Sequence, residues 1–143
     1  MKPTCRQFVV LVTIGAAALL YGPAALSQQK KLPPTYKPDP SEAVRTPEFC
    51  WGQFMGYKGP QYEISRPLCG SITNHYCPGL VALSRAGRAG SDKNQRIDYL
   101  KRARDDALYT LKGIEPFPNC PIRSHVETTL RVVEAQLRAS GVK

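Results

Sequence analysis

The sequence predicts a small all-α protein: a disulfide-stabilised bundle of about four helices. Three observations carry that prediction. Apolar residues recur at three- and four-residue steps through the second half of the chain. Glycines and prolines fall between those periodic runs, where helices start and stop. Four cysteines, Cys50, Cys69, Cys77 and Cys120, follow a leader of the export type, the context in which cysteines pair rather than bind metal.

The leader is read first because it sets the compartment. Lys2 and Arg6 make a positive start, residues 8–20 are apolar, and Gly22-Pro23 breaks the run. Ala25-Leu26-Ser27 then places small residues where a signal peptidase reads them, so residues 1–27 are a signal peptide cut before Gln28. The alternative is a retained anchor, since residues 8–26 are just long enough to span a thinned bilayer. Cys5 precedes the apolar run and leaves with the signal. Cleavage removes 27 of 143 residues, leaving 116, and takes away two basic residues, so the net charge falls from +9 to +7. The mature chain is expected in the periplasm or secreted, with no integral membrane segment. Its positive charge favours acidic partners, such as an acidic protein face, anionic lipid or acidic polysaccharide. No basic-aromatic motif points to nucleic acid.

Four prolines and three lysines in residues 28–40 predict an extended spacer, and residues 28–45 are read as a linker before one helical domain, 46–143. Thr46-Pro47-Glu48 is a helix start, with a hydroxyl cap, proline in the first turn and an acid near the positive end of the dipole. Phe49, Cys50, Trp51, Phe54 and Met55 follow, and Gly56 ends this short apolar helix. Gly59-Pro60 and Pro67 make 57–70 an irregular loop, with a brief extended piece at 62–64. Pro78 opens the next helix, which runs to about Ala86 before Gly87 and Gly90. Ser91 caps a longer helix carrying Ile97, Leu100, Ala103, Ala107, Leu108, Leu111 and Ile114. The last helix presents Ile122, Val126, Leu130, Val133 and Leu137, with Ser124 and Glu127 spaced as a capping box and Gly141 as its stop. Glu127/Arg131 and Glu134/Arg138 are pairs four apart.

Short connections make the last three helices run up, down and up. That brings Cys77 and Cys120 to one end and favours a Cys77–Cys120 bridge, leaving Cys50–Cys69, among the three pairings four cysteines allow.

No residue set declares a chemistry. His75-Tyr76-Cys77 lacks a Cys-x-x-Cys partner, and with Cys77 bridged His75 is a single ligand, so no metal or cofactor is expected. Ser124 and His125 are adjacent on a helix and cannot face each other as nucleophile and base. Arg104 falls in the middle of the apolar stripe. It must pair with an acid, bond to carbonyls, or stand at the mouth of an interhelical groove that recognises an anion. Arg85, Arg88, Lys101, Arg102 and Arg104 are the candidate contacts for an acidic partner.

Residues 78–141 resemble a tetratricopeptide-type helical hairpin followed by the first helix of another repeat. Leu80, Leu83 and Ala86, then Tyr99, Ala103, Ala107 and Pro116, carry that resemblance, although Tyr99 to Ala103 is one residue longer than in that repeat. It implies an up-down-up arrangement with a groove that binds peptide or protein. Cys69-Gly70, Tyr76-Cys77-Pro78 and Pro118-Asn119-Cys120 are similar to the cysteine pattern of small periplasmic immunity proteins that block type VI secretion amidases. The expected function is non-catalytic protein binding, as an accessory or adaptor subunit of a periplasmic or envelope assembly. The alternatives are an inhibitor of an acidic enzyme, and a small enzyme using His75, Arg104 or His125 if those three converge.

Overall fold

The computed structural model describes residues 34–90 and 92–142, so the leader, the start of the proline-rich segment and Ser91 lie outside it. Among the described residues there are six α-helices, three short 3-10 turns and no strand. The helices are α1 Pro40–Ala43, α2 Trp51–Met55, α3 Arg66–Cys69, α4 Tyr76–Arg88, α5 Lys93–Gly113 and α6 Arg123–Ala139. None is long and apolar enough to cross a membrane.

α5 is the middle helix, packed along α4 on one side and α6 on the other. One buried cluster joins Tyr76 of α4, Ala107 near the end of α5 and Val126 of α6. The other joins Ala82 and Ala86, then Tyr99, Leu100 and Ala103, then Val133 and Leu137. The start of α4 thus meets the end of α5 and the start of α6, which is the up-down-up course. Small residues let α4 and α5 come close. A Cβ on Gly79 would stand 2.9 Å from the Asp106 Cβ.

The helix ends follow some of the local signals and depart from others. α4 starts at Tyr76, two residues before Pro78, because the first-turn N–H groups have no intrahelical acceptor and proline forfeits nothing there. It runs through Gly87 to Arg88. Asp92, not Ser91, caps α5 by accepting from the Gln95 N–H at 2.9 Å. Ser124 caps nothing: Ile122 is the N-cap and Arg123 is already helical, so the expected capping box is absent. Thr46 likewise does not cap; its hydroxyl donates to the Ala43 carbonyl, and a 3-10 turn, Glu48–Cys50, leads into α2. Gly141 does end α6. With φ +81° it lets Val142 N–H reach the Leu137 carbonyl and Gly141 N–H the Arg138 carbonyl, and Val142 folds back onto the apolar face.

Three further expectations are corrected. The bridges are Cys50–Cys77 and Cys69–Cys120. All four cysteines converge at one end of the bundle, so nearness to that end does not choose a partner. Cys77 is instead met by the short 48–55 helical stretch and Cys120 by the end of α3. Residues 34–45, assigned to a spacer, are packed down: Thr35, Glu42 and Ala43 are buried, and Asp39 caps α1 through a reciprocal box with Glu42. Leu108, expected in the core stripe, is 45 % exposed.

Candidate functional site

The basic residues divide by what they touch. Arg85 and Arg88 converge on Glu42, whose residue is only 7 % exposed. Arg85 gives Nε to Oε1 at 2.8 Å and Nη2 to Oε2 at 2.6 Å, and Arg88 donates to Oε1 as well. These hydrogen bonds, Arg85's first, pull the Glu42 carboxyl from 4.5 down to about 2. Arg85 also reaches the Pro34 carbonyl at 3.3 Å and lies 5.9 Å from the centre of the Tyr99 ring. Both guanidinium groups thereby hold the 34–46 strap on α4. Of the five candidate contact residues, these two serve the fold.

Arg102 faces a different group. One turn on from it, Asp106 is largely buried, and desolvation raises its carboxyl pKa. Asp106 Oδ1 lies 3.4 Å from His75 Nδ1, and Oδ2 is buried with no hydrogen-bond partner. The Tyr36 hydroxyl meets the same Nδ1 at 2.5 Å, and the Tyr109 ring packs 4.4 Å from the imidazole. His75 is therefore a fastening point between strap, α4 and α5.

His125 belongs to a third set. It bonds through Nδ1 to the Tyr76 hydroxyl, which also meets Thr129 Oγ1 at 2.8 Å, and its ring stands edge-on to Phe49. Burial pushes the Tyr76 phenol up to about 12. His75, His125 and Arg104 share no described contact or cavity.

Arg104 stands at a groove between α5 and the end of α6. The groove, about 570 Å³, has Leu137 and Val142 on its floor and Arg104, Glu134 and Arg138 on its rim. Among the described residues Arg104 is neither buried nor paired across the bundle. Its guanidinium lies 3.3 Å from the neighbouring Asp105, itself largely exposed. Lys101, exposed and without an ion pair among the described residues, is three residues earlier on the same side of α5, and Leu108 four later. The arrangement offers apolar floor area with flanking cations, and chemically it suits an apolar side chain beside a carboxylate. Across the rim Arg138 and Glu134 pair at 3.9 Å, whereas Arg131 turns to Thr128 rather than Glu127.

Among the described residues, no group of three histidines, cysteines or acids is placed to hold a metal ion. Comparison of the chain with protein-family models, curated proteins and solved structures returns no match.

Sequence reasoning missed Glu42, Tyr36, Asp106 and Tyr109, whose partners are 31 to 46 residues away. In advance, Glu42 was marked only as one of two acids, with Asp39, in a basic, proline-rich segment. Val142 was also missed, although Gly141 as a helix stop implies that the next residue folds back.

Proposed function

We propose that this protein is a small exported domain that binds another protein, as an accessory or adaptor subunit of a periplasmic or envelope assembly, and that the α5–α6 groove is its contact. The observation that carries this reading is the groove itself: apolar residues Leu137 and Val142 under a rim where Arg104 has only an exposed neighbour for a partner. A partner segment with an apolar side chain and an adjacent acid fits both features. The two disulfides support an oxidising compartment, where such bridges persist. The likeness of α4–α5 to a tetratricopeptide hairpin supports the same reading, since it implies a peptide-binding groove.

Photo-crosslinking from the rim tests it. A crosslinking side chain at position 138 or 134 should capture one protein from an envelope extract at both low and moderate salt, and one at position 45 should not. Arg104→Glu combined with Lys101→Glu should abolish capture. Equal capture from all three positions, or capture indifferent to the double substitution, refutes the assignment. An acidic enzyme captured and inhibited one-to-one would identify an inhibitor instead of an adaptor.

A further inference from the structure

The irregular N-terminal half holds a second concavity, an open cleft of about 460 Å³ flanked by α2, the 57–64 loop and the 71–74 turn. Its walls are built with close tolerances. A Cβ on Gly52 would lie 2.4 Å from the Tyr62 carbonyl oxygen, so the 57–62 loop can lie against α2 only because that residue is glycine. Gly56, at φ +74°, turns the chain from α2 into that loop. Gln53 Nε2 donates to the Asn74 carbonyl at 2.9 Å and ties the two walls together. The Cys50–Cys77 bridge fixes the root of α2 to α4.

The aromatic wall is supported from behind. Trp51 and Tyr62 stack with ring centres 5.9 Å apart, and Tyr57 packs against both at 6.0 and 5.2 Å. Tyr57 nevertheless remains 52 % exposed and lines the cleft. Opposite chemistry surrounds it. Gln53 Oε1 and the Asn74 side-chain amide make no hydrogen bond among the described residues, and Lys58 and Arg66 have no ion-pair partner there. Both cations are exposed on the lining, against one acid, Glu63.

An aromatic face held in place, free amides able to donate and accept, and a local excess of cations are together the requirements of a carboxylated sugar. The ring's C–H face covers the tyrosine, its hydroxyls pair with the amides, and its carboxylate takes the guanidinium in a charge-assisted bond. A purely apolar ligand would strand those polar groups. We propose that this cleft binds an acidic oligosaccharide, with one sugar ring on Tyr57, hydroxyls on Gln53 and Asn74, and a carboxylate on Arg66 and Lys58. This site is separate from the α5–α6 groove and does not depend on it.

Trp51 is the single tryptophan of the chain and stacks on the cleft's aromatic wall, so its emission reports occupancy. The protein, expressed as the full chain and purified after export, is titrated with tetrasaccharides of galacturonate, guluronate and hyaluronan, with calorimetry in parallel. At least one should give a saturable signal that weakens about tenfold with Arg66→Gln, an exposed position, and with Tyr57→Ala. Its carboxyl-reduced, neutral counterpart should bind at least as poorly as the acidic sugar binds Arg66→Gln. The proposal is overturned if none of the three acidic sugars gives a saturable response. It also fails if the response is equal in wild type and Arg66→Gln and vanishes with salt, which marks general attraction to a positive protein. Equal affinity for tetraglutamate overturns it in favour of an acidic peptide.

Discussion

Glu42→Gln is the most informative single substitution, because it removes one charge, keeps the shape, and acts on contacts to residues more than forty positions away. In the folded chain the carboxyl sits at about 2 instead of 4.5, held there by Arg85 and Arg88. At about 1.36 kcal/mol per pH unit, that depression corresponds to about 3 kcal/mol. The Arg88 side chain is 38 % exposed, so solvent screens its share, and the expected loss is about 2 kcal/mol. The folded value lies below the unfolded one, so the contribution is complete above about pH 5 and disappears as the pH falls through 4.5 toward 2. By pH 3 the unfolded carboxyl is almost wholly protonated and about two-fifths of the contribution remains. Urea unfolding of wild type and variant, with disulfides intact and Trp51 emission as the probe, should give a difference of about 2 kcal/mol at pH 7 and about 1 kcal/mol at pH 3. A difference below about 0.5 kcal/mol at pH 7, within the range of ordinary surface changes, would refute the clamp. So would a difference that is the same at both pH values.

Five other outcomes follow from contacts elsewhere in the fold. Peptide mapping without reduction should recover Cys50 linked to Cys77 and Cys69 to Cys120, and no Cys77–Cys120 peptide. Opening the longer loop, with a separation of 51 against 27, should cost slightly more, about 4 against about 3.5 kcal/mol by chain entropy, measured by denaturation of the paired serine variants. Gly79→Ala should destabilise by about 1–2 kcal/mol, because the new methyl meets the Asp106 Cβ rather than a movable chain end; an unchanged urea midpoint would show that α4 and α5 are less tightly apposed. Tyr76→Phe should cost about 1 kcal/mol, and its effect should be non-additive with Thr129→Val in a double-mutant cycle. Asp92→Ala should cost about 1 kcal/mol through the loss of the α5 cap, read from the thermal midpoint.

What was legible in the sequence was periodic and local. Leu100, Ala103 and Ala107 on α5, Ile114 at its C-cap, and Val126, Val133 and Leu137 on α6, are buried as their spacing required. What was not legible depended on distant partners. Ser124 had the right neighbours for a cap, yet α6, following the turn that carries Cys120 of the Cys69–Cys120 bridge, starts two residues earlier, where Arg123 also donates to the Ile114 carbonyl at 2.6 Å. Proline density in 34–45 was read as freedom from the core. A fixed φ also reduces the entropy lost when a segment docks, so the same prolines favour a strap once Glu42 finds its arginines. His75 looked like an ordinary loop histidine because Tyr36 and Asp106 lie 39 and 31 residues away. The α5–α6 groove was half visible: Arg104 was expected in the middle of the apolar stripe and stands half-exposed at the groove's rim, whereas the fold-back of Val142 beneath it is signalled only by Gly141.

The net charge of the chain overstates the electrostatics available for binding. Arg85 and Arg88 are engaged by Glu42, Arg123 by two backbone carbonyls, and Arg138 faces Glu134. Among the described residues the cations left for binding at the two concavities are few: Arg104 at the groove, whose acid is the exposed Asp105, with Lys101 one turn before it, and Lys58 with Arg66 at the cleft. Binding through either site therefore neutralises one or two charges, not the full excess. Its affinity should fall only modestly between low and physiological salt, where a protein held by general attraction would be released. Salt sensitivity is thus a discriminating quantity. A shallow dependence that becomes flat in Arg104→Glu for a protein ligand, or in Arg66→Gln for a sugar, would tie each interaction to its own guanidinium. A steep dependence indifferent to both substitutions would mean that neither concavity is where the ligand sits.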